Sequence, residues 1–181
     1  MREPVRRALI VVSGLLALAV VHYGVYSRER LLSDGDTVLL RLAPVDPRSM
    51  LQGDYMALNF ELARAIREAL GERDVADGRA VVGVEPSGIG GFRRLDDGRP
   101  LAADERLLRY RLRAGRVRLA TNAYFFAEGT AHLYVPARYG EFRVAADGDA
   151  ILTHLRDEHR VRLGEGAGAP RVECVPPDVG C

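Results

Sequence analysis

Residues 53–62 read G-D-Y-M-A-L-N-F-E-L, and this stretch decides the fold class. From Tyr55 onward, large apolar side chains alternate with smaller or polar ones at a period of two, which is typical of a half-buried strand. The even-numbered side chains, from Met56 to Leu62, are therefore expected to face the core.

The apolar spacing changes to four residues directly after this strand. Leu62, Ile66 and Leu70 would lie on one face of a helix, and Gly71 stands where a helix C-cap is common. The strand and helix predictions overlap over residues 61–65. A strand followed at once by a short helix favours an α+β fold.

Outward from this stretch, most of the chain has the short apolar runs and frequent turn signals of β-structure. Further strands are predicted at residues 37–42, 80–84, 92–95, 107–113, 116–121, 141–145 and 150–155. The glycine-rich residues 88–91 are predicted as a loop, and the aromatic residues 124–126 as core. We therefore expect one mainly β, α+β domain over residues 37–163, built of antiparallel strands and hairpins with one or two short helices.

The charge balance limits the classes of partner. The 181-residue chain has a net charge of +1, so no overall field would attract nucleic acid. All 26 basic residues are arginine. The five on the hairpin between residues 109 and 118 are expected on a solvated sheet face, and no nucleic-acid partner is predicted.

The N-terminal region predicts a membrane anchor. An apolar run over residues 8–26 follows the basic residues 1–7, and as a helix it would extend about 28 Å, close to the hydrocarbon thickness of a bilayer. A cleaved signal peptide is the alternative, because residues 17–19 read A-L-A, a sequence that a signal peptidase could cleave after Ala19. The run continues past Ala19 without a polar break, which favours an uncleaved helix inserted in the lipid bilayer.

The remaining segments follow from this anchor. Residues 27–36 are predicted as a linker, and a short basic tail held inside would place the long C-terminal domain outside the cytoplasm. Residues 164–181 form a Gly- and Pro-rich tail that contains both cysteines, Cys174 and Cys181. Two alternatives stay open for them, a disulfide in an oxidising compartment or two free thiols.

The densest group of chemically distinctive residues lies around the opening stretch. Gly53 would permit an unusual backbone angle, Asp54 could accept backbone N–H bonds at the turn, and Tyr55 begins the strand. Asp46 and Arg48 lie close enough in sequence to pair with each other or with Asp54. The group can be interpreted as a structural brace or as a binding site.

This group resembles the motif of the GDYXXLXY protein family. Gly53, Asp54, Tyr55 and Leu58 match the motif, whereas Phe60 replaces its final tyrosine and loses the phenol hydroxyl. The likeness extends to the segments 124–129 and 137–144. It implies a membrane-anchored protein of unestablished function in the bacterial inner membrane, with the domain in the periplasm or outside, sometimes encoded beside multi-span membrane proteins.

Two functional hypotheses follow. The first is an accessory or structural module, without catalysis or cofactor, that binds an integral membrane protein or an envelope ligand through the loop and strand of residues 46–60. The second is an envelope hydrolase using Ser49 or Asp54, because Ser49-Met50 after a membrane anchor is similar to the nucleophile motif of type I signal peptidases. Those enzymes use a lysine base, and this chain contains no lysine.

No metal site is predicted from the histidines. His154 and His159 are five residues apart, whereas the histidines of a zincin helix are four apart with a glutamate after the first. Both histidines are expected to be exposed polar residues.

Overall fold

The computed structural model describes residues 3–43, 51–52, 55–71 and 77–164. A long helix, α1 (Glu3–Asp34), precedes the domain. Its portion Leu9–Asp34 is long and apolar enough to span a membrane, and its apolar side chains from Leu9 to Tyr26 are exposed. The N-terminal helix that the sequence predicts is therefore present.

The helix also includes most of the predicted linker. Helical backbone continues to Asp34, and Leu31 is only 7% exposed where α1 meets the domain. The Arg143 guanidinium donates a hydrogen bond to the Gly35 carbonyl, 2.9 Å away. Because its last turns pack on the domain, the segment is ordered helix and not a loose connection.

The domain is built on a curled sheet of seven strands. In sheet order these are β10 (Ala150–Arg156), β9 (Tyr139–Val144), β1 (Asp36–Arg41), β5 (Ile89–Leu95), β4 (Asp77–Val84), β6 (Glu105–Arg113) and β7 (Arg116–Arg118). The backbone N–H of Arg109 in β6 donates to the Gly148 carbonyl in the β9–β10 turn, 2.8 Å away, which joins distant parts of the sheet. The mainly β, α+β fold class predicted from the sequence is confirmed.

A second sheet has three short strands. These are β2 (Leu51–Gln52), β3 (Tyr55–Ala57) and β8 (Ala123–Phe125), with β3 in the centre. The helix α2 (Glu61–Leu70) follows β3, and a 3-10 helix spans Ala131–Tyr134. The overlap at residues 61–65 is resolved in favour of the helix, because Leu62, Ile66 and Leu70 all reach the core.

The core lies between the curled sheet, α2 and the small sheet. It contains Val38, Leu40, Ile66, Val82 and Phe142, each at most 3% exposed. The hairpin arginines of β6 and β7 are on the exposed side, as predicted. Alternation along these strands therefore separates the core from solvent.

Two local predictions were wrong. Residues 88–91 were predicted as a loop, but β5 begins at Ile89. Gly90 is needed in this strand for packing, because a Cβ there would lie 2.7 Å from Val38 and 2.8 Å from Val82 in the core. The strands were expected to be antiparallel, yet β1 and β5 are parallel over Leu39↔Ile89 and Leu40↔Gly90.

Candidate functional site at the motif strand

The strand β3 and the extended residues 58–60 that follow it divide their side chains between two faces. Met56, Leu58 and Phe60 are 1%, 3% and 4% exposed and belong to the core. The Phe60 ring meets Phe142 edge to face, with ring centroids 5.3 Å apart. Leu58, predicted as a binding residue, thus packs in the core, and Phe60 occupies an apolar contact with Phe142.

Tyr55 begins β3 on the other face of the small sheet. Its direct partner across the β3–β8 pair is Phe125, and the two ring centroids are 5.7 Å apart at a tilt of 40°. Tyr55 is half-buried, whereas Phe125 is 74% exposed. We name Tyr55 and Phe125 the aromatic pair.

The prediction that residues 124–126 are core was wrong for Phe125. Tyr124 and Phe126 contact the buried Tyr134, with ring centroids 5.2 and 5.1 Å apart. Because successive side chains of a strand point to opposite faces, Phe125 must then point away from this cluster. The adjacent phenylalanines Phe125 and Phe126 offer no sequence signal for which ring packs against Tyr134.

The cluster beneath Phe125 is tightly arranged. Phe126 stacks on Tyr134 at an interplanar angle of 18°. Burial raises the pKa of Tyr124, and the neighbouring Tyr134 raises it further. Tyr124 is therefore a neutral packing residue. The exposed Phe125 lies between Tyr124 and Phe126 in the chain, and both of these contact Tyr134.

A buried carboxylate forms a second notable group, which sequence reasoning missed. Glu141 in β9 is 1% exposed. Its Oε2 accepts a hydrogen bond from Arg156 Nε at 2.6 Å, and its Oε1 accepts one from an Arg162 guanidinium nitrogen at 2.9 Å. Burial raises the pKa of Glu141, but the hydrogen bonds from Arg162 and Arg156 outweigh it and hold this pKa below the usual range.

This arrangement suits a structural clamp better than a catalytic base. Both carboxylate oxygens accept hydrogen bonds from guanidinium groups, and a lowered pKa disfavours proton uptake. The His154 ring Nδ1 lies 3.9 Å from Glu141 Oε1 with its side chain 32% exposed. The prediction of an exposed polar His154 was therefore wrong, since β10 pairs His154 with Glu141 on one side of the sheet. His159 is exposed, as predicted.

Several predicted residues lie outside the described part of the chain. These are Asp46, Arg48, Ser49, Gly53, Asp54, Cys174 and Cys181. Of the predicted binding residues, the structure therefore describes Tyr55 and Leu58. Within the described ranges, no group of three or more His, Cys, Asp or Glu side chains could hold a metal ion.

Comparison with known proteins identifies the family. The sequence model described as "GDYXXLXY protein" matches residues 17–155, which is most of the chain. The chain belongs to the GDYXXLXY family. In this GDYXXLXY protein the matched range begins within α1 and includes both members of the aromatic pair and Glu141. No curated protein and no solved structure matches the chain.

Proposed function

We propose that this protein is a single-pass accessory module of the bacterial inner membrane, with its domain outside the cytoplasm, that binds an integral membrane protein through the aromatic pair. Phe125, 74% exposed on β8 opposite Tyr55, is the observation that carries the proposal. Large aromatic side chains are enriched at protein interfaces. Full burial of such a ring contributes about 1.5–3 kcal/mol.

The anchor supports the class of partner. The portion Leu9–Asp34 is long and apolar enough to span a bilayer, so the domain would be held near other membrane proteins. The basic residues before the apolar run favour a cytoplasmic N-terminus, which supports an external domain. This topology would leave the aromatic pair accessible to the external part of a membrane-protein partner.

The partner can be identified by photo-crosslinking in native cells. A photoreactive phenylalanine at position 125 is expected to give one major adduct with an integral membrane protein. The matched control places the same residue at Val161, which is 59% exposed and lies after β10. We expect no such adduct from position 161.

A substitution tests the energetic contribution of the ring. Because Phe125 makes little contact with the core, Phe125→Ser should leave the melting temperature within a few degrees of the parent. It should lower the partner recovered per chain by about tenfold, which corresponds to a loss of about 1.4 kcal/mol. Equal recovery with Phe125→Ser, or the same adduct from position 161, would contradict the proposal.

A hydrolase is not favoured by the described residues. A Ser–Lys dyad needs a lysine, which the chain lacks, and both oxygens of Glu141 are engaged by arginines.

A further inference from the structure

A groove lies between α2 and the sheet, at the point where β1 and β5 separate. Parallel pairing of these strands extends over Leu39↔Ile89 and Leu40↔Gly90. Beyond it, Leu42 forms a bridge with Phe60 instead. The groove has a volume of about 280 Å³ and is bordered by the end of β1, the start of β5 and one side of α2.

The two glycines of β5 have opposite surroundings at this groove. A Cβ built on Gly90 would lie 2.7 Å from Val38 Cγ1, inside the core. A Cβ built on Gly91 would meet no atom within 4 Å. Because successive positions of a strand face opposite sides of a sheet, position 91 faces away from the core, and Gly91 borders the groove with its backbone. Leu62, Ile89 and Phe92 add apolar surface to the lining.

The groove also has charged groups of both signs without ionic partners. The Arg41 guanidinium lies over the Tyr139 ring, 5.6 Å from its centroid. Among the residues that the structure describes, no carboxylate lies within 4.0 Å of Arg41, and no Arg or His nitrogen lies that close to Glu61 or Glu85. All three residues line the groove.

This lack of pairing contrasts with much of the domain surface. In the same sheet, Arg79 pairs with Asp96 at 2.9 Å, and Arg106 pairs with Asp36 at 2.6 Å. Such pairs satisfy charge within the protein. Glu61, Glu85 and Arg41 have no such ionic partner among the described residues, although Glu85 accepts a hydrogen bond from the Ser87 hydroxyl, 3.0 Å away. They would be complementary to a ligand with a cation and an anion of its own.

We propose that this groove binds a small zwitterion of dipeptide size. Its amino group would interact with Glu61 or Glu85, its carboxylate with Arg41, and its backbone and side chains with the apolar surface of Leu62, Ile89 and Phe92. A volume of about 280 Å³ lies at the lower end of the range of ligand sites, which favours a ligand this small. The proposal is independent of partner binding by the aromatic pair.

Titration calorimetry on the full chain in detergent micelles tests the proposal with dialanine as the probe. Dialanine is expected to bind saturably, and two blocked analogues separate its charges. N-acetyl-dialanine lacks the cation and dialanine amide lacks the anion. Each should bind at least about tenfold more weakly, because the charge-assisted hydrogen bonds of the blocked group are lost.

Two variants assign the binding to this groove. Arg41→Gln should bind dialanine and its amide equally weakly, since the partner of the carboxylate is removed. The double variant Glu61→Gln, Glu85→Gln should bind dialanine and N-acetyl-dialanine equally weakly, since the partner of the amino group is removed, while its melting temperature stays near that of the parent. Absence of saturable dialanine binding up to about 10 mM, binding of the blocked analogues as tight as that of dialanine, or full dialanine binding by either variant would overturn the proposal.

Discussion

At the scale of single residues, Glu141 is a buried charged side chain whose ionisation depends on its neighbours. A buried carboxylate loses its hydration, and it stays ionised only because guanidinium groups replace the water. Arg156 belongs to β10. Arg162 lies in the segment after β10, which turns back and forms an antiparallel bridge with Arg156. Glu141 thus joins β9 to the last described segment of the domain.

Replacing Glu141 by glutamine should destabilise the domain. Glu141→Gln keeps the shape but removes the charge opposite two partly buried guanidinium groups, so the free energy of unfolding should fall by about 2–3 kcal/mol. Chemical denaturation at pH 7 measures this change. The control is Glu158→Gln, which alters a 74% exposed carboxylate whose ionic partner among the described residues is His159. It should change the free energy of unfolding by less than about 0.5 kcal/mol.

The same substitution predicts a pH dependence. The folded-state pKa of Glu141 is below its ordinary value of 4.5. Its contribution to stability is therefore complete above about pH 4.5 and is lost as the pH falls through the lower folded-state pKa. The stability difference between parent and Glu141→Gln should shrink on acidification; a difference that grows in acid would show that Glu141 is not held ionised by the arginines.

At the scale of secondary-structure elements, β5 contains two adjacent glycines with different surroundings. Gly90 allows the core side chains Val38 and Val82 to approach the strand backbone. Gly91 faces open space and has no backbone angle that requires glycine. The element therefore contains its own matched control.

Alanine at these two positions should have opposite effects. Gly90→Ala places a Cβ 2.7 Å from Val38 Cγ1 and 2.8 Å from Val82 Cγ1, and should cost about 1–3 kcal/mol through overpacking. Gly91→Ala should be neutral or stabilise by about 0.5 kcal/mol, since alanine loses less backbone entropy in a strand. Thermal unfolding compares the two variants, and equal melting temperatures would mean that the core adapts to the extra methyl group.

The elements also show what the sequence could and could not predict. The period of two from Met56 to Leu62 and the spacing of Ile66 and Leu70 are local patterns, and all these side chains are buried. The parallel β1–β5 pair and the ion pairs of Glu141 depend on residues distant in sequence. Arg162 is 21 residues from Glu141, so no local pattern could indicate their contact.

The candidate site was predictable to a similar extent. Tyr55 was identified from its motif, whereas its partner Phe125 was assigned to the core because a run of aromatic residues normally packs there. Only the pairing of β3 with β8 determines which ring turns outward. The groove at Gly91 was missed because glycines in a row also indicate a loop.

At the scale of the whole molecule, α1 determines where the domain can act. We expect the chain to remain intact in the membrane, because the apolar run continues past Ala19 and the helix continues to Asp34. Intact-mass measurement of the membrane fraction should therefore give the full-length chain, and a reporter active only outside the cytoplasm should be active when fused after Cys181.

A control sets the baseline for this topology experiment. Deleting residues 8–26 should release the chain from the membrane fraction and silence the reporter. A chain shortened after Ala19 would contradict the anchor, and an inactive reporter on an intact membrane-bound chain would contradict the orientation.

The packing of Leu31 and the hydrogen bond from Arg143 to the Gly35 carbonyl connect the end of α1 directly to the sheet. Under the proposed anchoring, rotation of the helix about its own axis in the bilayer therefore sets the direction in which Phe125 points. Each helical residue between the bilayer and Leu31 also raises the domain by about 1.5 Å and turns it by about 100°. The number of helical residues between the bilayer and Leu31 therefore sets both the height and the rotation of the domain above the membrane. It determines which neighbouring membrane proteins the domain can contact.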